Sequence, residues 1–571
     1  MIFYDFEVFS HNWLVVFMDM QKRKETVIVD DPAALEAFHK ENINEIWVGF
    51  NSRHYDQYIF KGILCGFEPK KINDYIIIRG LQGWKYSTLF RDVPLNNYDV
   101  MTNIDRGLKT FEGFMGNNIK ESSVPFDVNR PLTEKEIEET IEYCRYDVQQ
   151  TVEIFLQRTD DFEAHRGLVK LACEGRFLDL SLISRTKPQL SAIILNATQR
   201  KHDDEFNIDF PPTMRIEKYT AVLDWYSDPA NMCYEKDGKK NQLETMIAGV
   251  PHVFGFGGIH GALLKYNGEG SFVNMDVASL YPSLMIEYDL LSRNVKDPAK
   301  FKEIYDRRLQ FKADKNPLQL PLKLVLNSTY GVMKDKNNPL YDPLQSNKVC
   351  IYGQLLLLDL IERLEPHCQI IQSNTDGVLI RMYRDEDFEL IDDICYEWEQ
   401  RTRLTLEFEE FRRVYQKDVN NYIIVDRDGK FKSKGAYVKK LSALDYDLPI
   451  INRALVNYMV RDIPLETTIF ECDDLKEFQL VTKISNKFIC IMHGDRRIKE
   501  QCIRIFASKE ERDAGVYKIH AKKGNANKIS NSPAHCFIWN EDVNGVKIPA
   551  KLDHAWYLEM AKKRLKDFGV D

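Results

Sequence analysis

Cysteine is sparse and scattered in this chain. The 571 residues hold eleven, and no two are spaced C-x-x-C, so neither a zinc ribbon nor a redox dithiol is suggested. Reduced thiols in a cytosolic compartment fit that usage. No apolar run approaches the length of a membrane span, so no membrane partner is expected. The N-terminus "MIFYDFEVFS" lacks the basic start of a targeting segment and carries Asp5 and Glu7 instead. Basic charge is not in excess: the formal net charge is -9 and the pI about 5.9, which argues against a histone-like polycation. A nucleic-acid enzyme needs only a local basic track, and clustered acids lower the total, so that class stays open. There is no internal repeat, no low-complexity linker and no G-x-x-x-x-G-K-[ST] phosphate loop. The domains are therefore expected to pack closely.

What is present begins with acids in unexpected places. At 44% hydrophobic, the composition is globular and long enough for several domains. "MIFYDFEVF" reads as a buried strand in which Asp5 and Glu7, two apart, share a face. Paired carboxylates there repel each other unless a cation lies between them. The strand "EIWVGF" runs into "NSRHYDQYIF", which carries Asn51 and Asp56. In "PLTEKEIEETIEYCRYDVQQTVEIF", Thr133 and Glu136 form a capping box, and Ile137, Ile141, Cys144 and Val148 form an apolar helical stripe. Tyr143 and Asp147, four apart, share another face of that helix. Each acid alone reads best as a solvated or salt-bridged surface residue; the ordered set changes the reading.

That set (D-x-E, then N-x-x-x-Y-D, then Y-x-x-x-D) resembles the DnaQ-like 3′–5′ exonucleases of proofreading DNA polymerases. The resemblance implies that Asp5, Glu7, Asp56 and Asp147 hold two divalent ions, that Tyr143 orients the attacking water, and that Asn51 contacts a single-stranded 3′ end.

Further along, "SNTDGVLI" places Asp376 between two apolar β-forming runs, where Asp-Gly is a strong hairpin-turn signal. A glycine-rich stretch, "VFGFGGIHGALLKYNGEGSFVNMDVASLYPS", allows close backbone approach at Gly255, Gly257, Gly258 and Gly261 and leads into a strand ending at Asp276. "DVASLYPS" resembles motif A of family B DNA polymerases, "KLVLNSTYG" their motif B, and "NTDG" their motif C, usually D-T-D-S. The resemblance runs from residue 5 to about residue 440. It implies that Asp276 and Asp376, with the Val277 carbonyl, hold two Mg2+ ions (Mn2+ being the alternative) for transfer of a nucleotide to a primer 3′-hydroxyl. The motif departs from the pattern at Asn374 and Gly377, which puts the charge and metal geometry of that site in question.

Between motifs A and B, Asp297-Pro298 and Asn316-Pro317 each read as an N-cap followed by proline at the first helical position, giving two antiparallel helices. Arg308 and Lys312 are i, i+4 on the first; Lys323, Asn327 and Tyr330 form a stripe on the second. A triphosphate needs several cations and no close acids, which this hairpin can supply. By resemblance, Ser279, Leu280 and Tyr281 line the nucleotide site, with Tyr281 under the sugar excluding a 2′-hydroxyl. The short run from Asp276 to Lys323 leaves little room for the insertion of protein-primed members, so an ordinary nucleic-acid primer is expected.

After motif C, Lys417, Tyr422, Lys432 and Lys434-Gly435 resemble the family's K-x-Y region and its continuation, which bind the primer–template backbone; Lys417 lies farther from Tyr422 than that pattern asks. Asp428-Gly429 reads as a hairpin turn. Gly257 and Gly258 are further expected DNA contacts, as are Lys522 and Lys523 in "KIHAKKGNANKISN". The final "DHAWYLEMAKKRLKDFG" reads as a packing helix with Tyr557, Ala561, Leu565 and Phe568 inward and Gly569 as its stop.

The expected fold is α/β: an RNase H-like exonuclease domain (1–165), a connecting region and first part of the palm (166–290), a fingers hairpin (291–340), the rest of the palm (341–445) and a thumb (446–571). The expected function is proofreading, template-directed DNA synthesis on primer–template DNA with dNTPs. The expected enzyme is a monomer in the cytoplasm (the host's, if viral), working beside replisome proteins such as a helicase, primase or single-strand binding protein. The start of the chain almost on its first acidic motif suggests a compact bacteriophage or mobile-element replicase. Two rivals are a nuclease whose polymerase half is inert, because of Asn374 and Gly377, and a non-catalytic DNA-binding protein.

Overall fold

The computed structural model describes residues 1–101, 106–435 and 437–570. The chain divides into two compact units, one of residues 1–186, 441–449 and 472–556, the other of 187–440, 450–471 and 557–571. Both mix helix and sheet, as expected.

The first unit is built on five strands: β1 (Ile2–Val8), β2 (Trp13–Asp19), β3 (Lys24–Val29), β4 (Trp47–Gly49) and β5 (Asn97–Asp99), in the order β3-β2-β1-β4-β5. β1 is antiparallel to β2 and parallel to β4, which is parallel to β5. Alternation in β1 decides what each face does. Ile2, Tyr4, Phe6 and Val8 join Phe17, Trp47 and Phe60 in one core. Burying each such large side chain stabilises by about 1.5–3 kcal/mol. The opposite face, with Phe3, Asp5 and Glu7, meets the helix Glu134–Gln157: Phe3 lies edge-on to Phe155 at 5.3 Å, and the Cys144 thiol donates to the Asp5 carbonyl at 3.3 Å. The capping box of Thr133 and Glu136 starts that helix as the sequence suggests.

The same unit takes in seven strands from late in the chain. Leu480–Lys483, Cys502–Ala507 and Cys536–Ile538 form one sheet; Arg496–Ile498, Phe488–His493, Val516–His520 and Ala526–Lys528 form another. They dock on the helix Leu108–Met115 and the turn after it. A Cβ at Gly113 would meet Val481 at 2.6 Å, and Ile119 and Val543 donate to the Asn540 and Gly116 carbonyls at 2.7 and 2.9 Å. Arg504, wholly buried, donates to the carbonyls of Gly113 (2.9 Å), Asn117 (2.8 Å) and Glu541 (2.7 Å). Residues 446–571 are therefore not one contiguous body. Local periodicity reveals such strands but not the surface they dock on.

The second unit has a nine-stranded sheet in which every neighbouring pair is antiparallel. Its central strand, Tyr266–Val277, lies between Gly377–Met382 and Leu406–Asp418. Beyond Gly377–Met382 follow Cys368–Asn374, His260–Ala262, Val250–Gly255 and Gln242–Ile247; beyond Leu406–Asp418 follow Asn421–Val425 and Phe431–Lys434. The helix Pro343–Leu364 is buried almost throughout, which its unbroken "LLLL" run requires. Asp297 caps the helix Pro298–Ala313 as expected. The next helix begins at Gln319 rather than at Pro317: the Asn316 carboxamide accepts from the Leu318 amide at 2.9 Å and closes a turn before the helix instead of capping it. Among the described residues, no helix is long and apolar enough to cross a membrane.

Candidate active sites

In the first unit the acids of β1, of the helix Asp56–Leu64 and of the helix Glu134–Gln157 come together. The Phe6 amide donates to Asp56 at 3.2 Å, and the carboxylates of Asp5 and Glu7 lie with the Cys144 thiol inside a 4.8 Å cluster. Burial holds Asp5, Glu7 and Asp147 above the usual carboxylate range, with their neighbours adding to it at Asp5 and Glu7; burial pushes Asp56 up to about 7. Hard carboxylate oxygens crowded in this way suit a hard divalent cation, whose charge would remove their repulsion. Cys144 is not suited to it, since burial raises its thiol and keeps it protonated. Tyr143 shares a hydrogen bond with Asp147, as the i, i+4 spacing requires.

Sequence reading missed three members of this site. Lys109 is buried, donates to Asp147 Oδ1 at 2.6 Å and Glu112 Oε1 at 3.0 Å, and lies 4.6 Å from the Tyr143 ring centre. Burial opposes its charge, but Asp147 and Glu112 outweigh it and raise its pKa. Glu112 is itself fully buried. The third is Asp99, at the end of β5, which accepts from the amides of Asn51, Arg53 and Met101 at 2.9 Å each. It thereby fixes the loop bearing Asn51, whose φ of 60° is left-handed. The available signal was charge inside apolar segments, in "GLKTFEGF" and "NNYDV".

In the second unit, motifs A and C lie on adjacent strands. Asp276 and Gly377 are register partners, and the Val277 amide donates to the Asp376 carbonyl at 2.7 Å. Burial, then the nearby Asp376, pushes Asp276 up to about 6, with Asn274 and Lys432 opposing. Tyr422 is raised by burial and by charge on Asp276 and Asp376, which puts its ring beside both acids. Glu407 pairs with Asp276 across the other edge of the central strand. The hairpin itself differs from the expected Asp-Gly turn. Asn374 and Gly377 are paired, the connection is Thr375-Asp376, and φ at Gly377 is not positive. Its glycine answers a different demand: a Cβ there would lie 1.9 Å from Asp276 Oδ1. Asn374, which follows the Gly261–Ser373 register pair, is hydrogen-bonded through its side chain to His260, while a Cβ at Gly258 would strike Thr375 Oγ1 at 2.5 Å. Gln354 Nε2, unforeseen, holds the carbonyls of Gly255 and Gly257 at 2.7 Å each.

Around these acids, Ser279 has a left-handed φ of 52° and receives the Arg308 guanidinium at 2.7 Å. Leu280 is buried, and Tyr281 packs on Tyr330 with ring centres 4.0 Å apart. Lys323 and Asn327 are exposed on the helix Gln319–Val332. Several expected ligand contacts are engaged within the protein. Lys312 pairs with Glu407 at 3.1 Å, Lys432 with Glu409, and Lys417 with Asp567 at 3.3 Å beside the Tyr437 ring. Lys434 is near enough to His260 to lower its pKa, after burial. In the first unit, Lys522 and Lys523 are exposed, their amides donating to His520 Nδ1 at 3.1 and 3.2 Å.

No family model matches the sequence, and no curated protein matches it. Among solved structures, the chain aligns with the family B DNA polymerase from the hyperthermophilic archaeon Pyrobaculum calidifontis. The identity is 13%, the TM-score 0.41, and the alignment covers 99% of this chain and 77% of that one. Similarity at that level decides nothing about activity, which rests on the site geometry alone.

Proposed function

We propose that this chain is a template-directed DNA polymerase of the family B type with a 3′–5′ exonuclease. The observation that carries the reading is the backbone junction of Asp276 with the Asp376 hairpin, made from segments a hundred residues apart. Asp276, Asp376 and the Val277 carbonyl would hold the Mg2+ ions, and Asp5, Glu7, Asp56 and Asp147 those of the exonuclease. Bound divalent cations would supply acidification of the attacking hydroxyl or water and neutralise charge on the phosphorus oxygens.

The rest falls to the protein's own groups. Lys323, on the exposed stripe with Asn327, meets the triphosphate. Arg308 holds the left-handed Ser279 turn so that backbone and hydroxyl face the nucleotide. The Tyr281–Tyr330 pair makes an aromatic floor for the sugar and leaves no space for a 2′-hydroxyl. Lys312 exchanges Glu407 for phosphate as the nucleotide enters. The primer 3′-oxygen then bonds to the α-phosphorus as the bond to pyrophosphate breaks. In the exonuclease, Tyr143 orients water toward the terminal phosphodiester, and the Lys109 ion pair fixes Asp147. The compact motif A to motif B segment supports nucleic-acid priming. Asn374 and Gly377 are accommodated by His260 and Asp276, which favours a working polymerase half over an inert one.

Primer extension with dNTPs and Mg2+ tests this. Wild type should extend, Asp376→Ala should only shorten the primer, and Asp5→Ala should extend without shortening. Shortening without extension by wild type would leave only the nuclease, and no turnover of either kind would leave a binding protein.

A further inference from the structure

The segment after the helix Asp56–Leu64 is unlike the rest of the first unit. Ile77 (60% exposed), Ile78 (74%), Leu81 (42%), Trp84 (55%) and Leu89 (49%) present large apolar groups to solvent within one short stretch. Scattered exposed apolar residues need no explanation, but a contiguous set marks an interaction surface. Interleaved with them are Arg79, Lys85 and Arg91, all exposed and without a salt-bridge partner among the described residues. Lysines 70 and 71, at the base, are already paired with Asp74 and Glu68.

The base of the segment is rigid and the tip is not satisfied. A Cβ at Gly83 would strike the Tyr58 ring at 2.3 Å, so only glycine lets this turn lie on the helix. Tyr86 stacks on Phe90, which leans on Tyr58 at 5.8 Å. The Trp84 indole is left outside with Lys85 5.1 Å from its ring centre. The segment also borders the acid cluster. Tyr55, at the start of the helix that carries Asp56, donates to Asn73 Oδ1 at 2.8 Å and so ties the segment to that helix.

We propose that this surface binds single-stranded DNA and guides it toward the acid cluster, with the Trp84 indole stacking on a base and Arg79, Lys85 and Arg91 contacting phosphates. The inference rests on the exonuclease reading for its direction, but the binding stands independently. Unpaired cations beside an exposed aromatic match the alternating charge and π-faces of a single strand. A protein partner would use the aliphatic groups but give the three cations no role, and Asp74, whose charge reaches Arg79, is already paired with Lys70.

Trp84 is the only exposed tryptophan among the described residues, so oligo-dT about 16 nucleotides long should quench the emission of the full chain, and Trp84→Phe should abolish that quenching. Trp84→Ala and the pair Arg79→Glu, Lys85→Glu should each raise the KM for degradation of that oligonucleotide about tenfold with kcat unchanged. Hydrolysis of the p-nitrophenyl ester of thymidine 5′-phosphate, too short to reach the surface, should be unaffected in both. Unchanged KM and quenching would overturn the proposal. So would self-association of wild type that Trp84→Ala abolishes, with no change in oligonucleotide affinity. If wild type hydrolyses neither substrate, the exonuclease reading fails, and quenching with anisotropy of labelled oligo-dT decides the binding by itself.

Discussion

Gly377 and Asp276 occupy a space that holds one of them only because the other has no side chain. A Cβ on residue 377 would come within 1.9 Å of Asp276 Oδ1. A serine at position 377, as in the usual motif C, should therefore harm the proposed polymerase activity. Gly377→Ser or Gly377→Ala would displace the Asp276 carboxylate and lower primer-extension kcat at least about tenfold, since misplacement on the ångström scale costs as much or more. Exonuclease rates on single strands should not change. Equal extension by Gly377→Ser and wild type would show that Asp276 has another position open to it.

Both acid clusters tie stability to pH in the same direction. The folded-state pKa of Asp56 is raised to about 7 and that of Asp276 to about 6, above the unfolded values near 4. The folded chain thus binds more protons than the unfolded one across roughly pH 4–7, and stability falls as pH rises through that window. Chelated protein should lose melting temperature between pH 5 and pH 8, and Mg2+ should restore most of it at pH 8 but little at pH 5. A flat profile in EDTA would mean the carboxylates do not repel each other as their burial implies.

Lys109 is the sole cation donating to both Asp147 and Glu112 among the described residues. Lys109→Met should destabilise the protein by about 3–5 kcal/mol, because two buried carboxylates lose their counter-charge. Lys109→Arg should retain the fold but reduce exonuclease kcat by shifting Asp147 and Tyr143. Primer extension by the arginine variant should match wild type. Urea unfolding and the two assays together separate structure from positioning.

Arg504 gives a test of the first unit's architecture. Its buried guanidinium donates to four carbonyls on two chain segments, and burial lowers its pKa to about 10. Arg504→Met keeps the volume but strands those carbonyls, so a loss of several kcal/mol is expected. Hydrogen exchange should rise first in the amides of residues 108–119.

The parts of these sites that could be read from sequence are those where spacing and side-chain direction suffice. Asp5 and Glu7 share a strand face and Tyr143 and Asp147 a helix face, and the structure keeps both relations. Motif A was legible as a strand ending in an acid and motif C as an acid at a hairpin tip, and their junction follows from register. Lys109, Glu112 and Asp99 were not legible, because a lone charge in an apolar run looks like surface until its partners are known. Gly377 was read as a turn residue, although its glycine is demanded by a side chain a hundred positions away. The division of residues 446–571 between the two units was not legible for the same reason: local pattern says that a face is covered, not by which segment.

That late return of residues 472–556 to the first unit matters during synthesis. When residues 1–186 leave the ribosome, the carbonyls of Gly113 and Asn117 await an arginine nearly four hundred residues downstream. The nascent amino-terminal piece must remain incomplete while the whole intervening unit is translated. A truncation ending at residue 186 should expose that seam and aggregate, so dissecting the two proposed activities calls for point variants of the intact polypeptide rather than fragments.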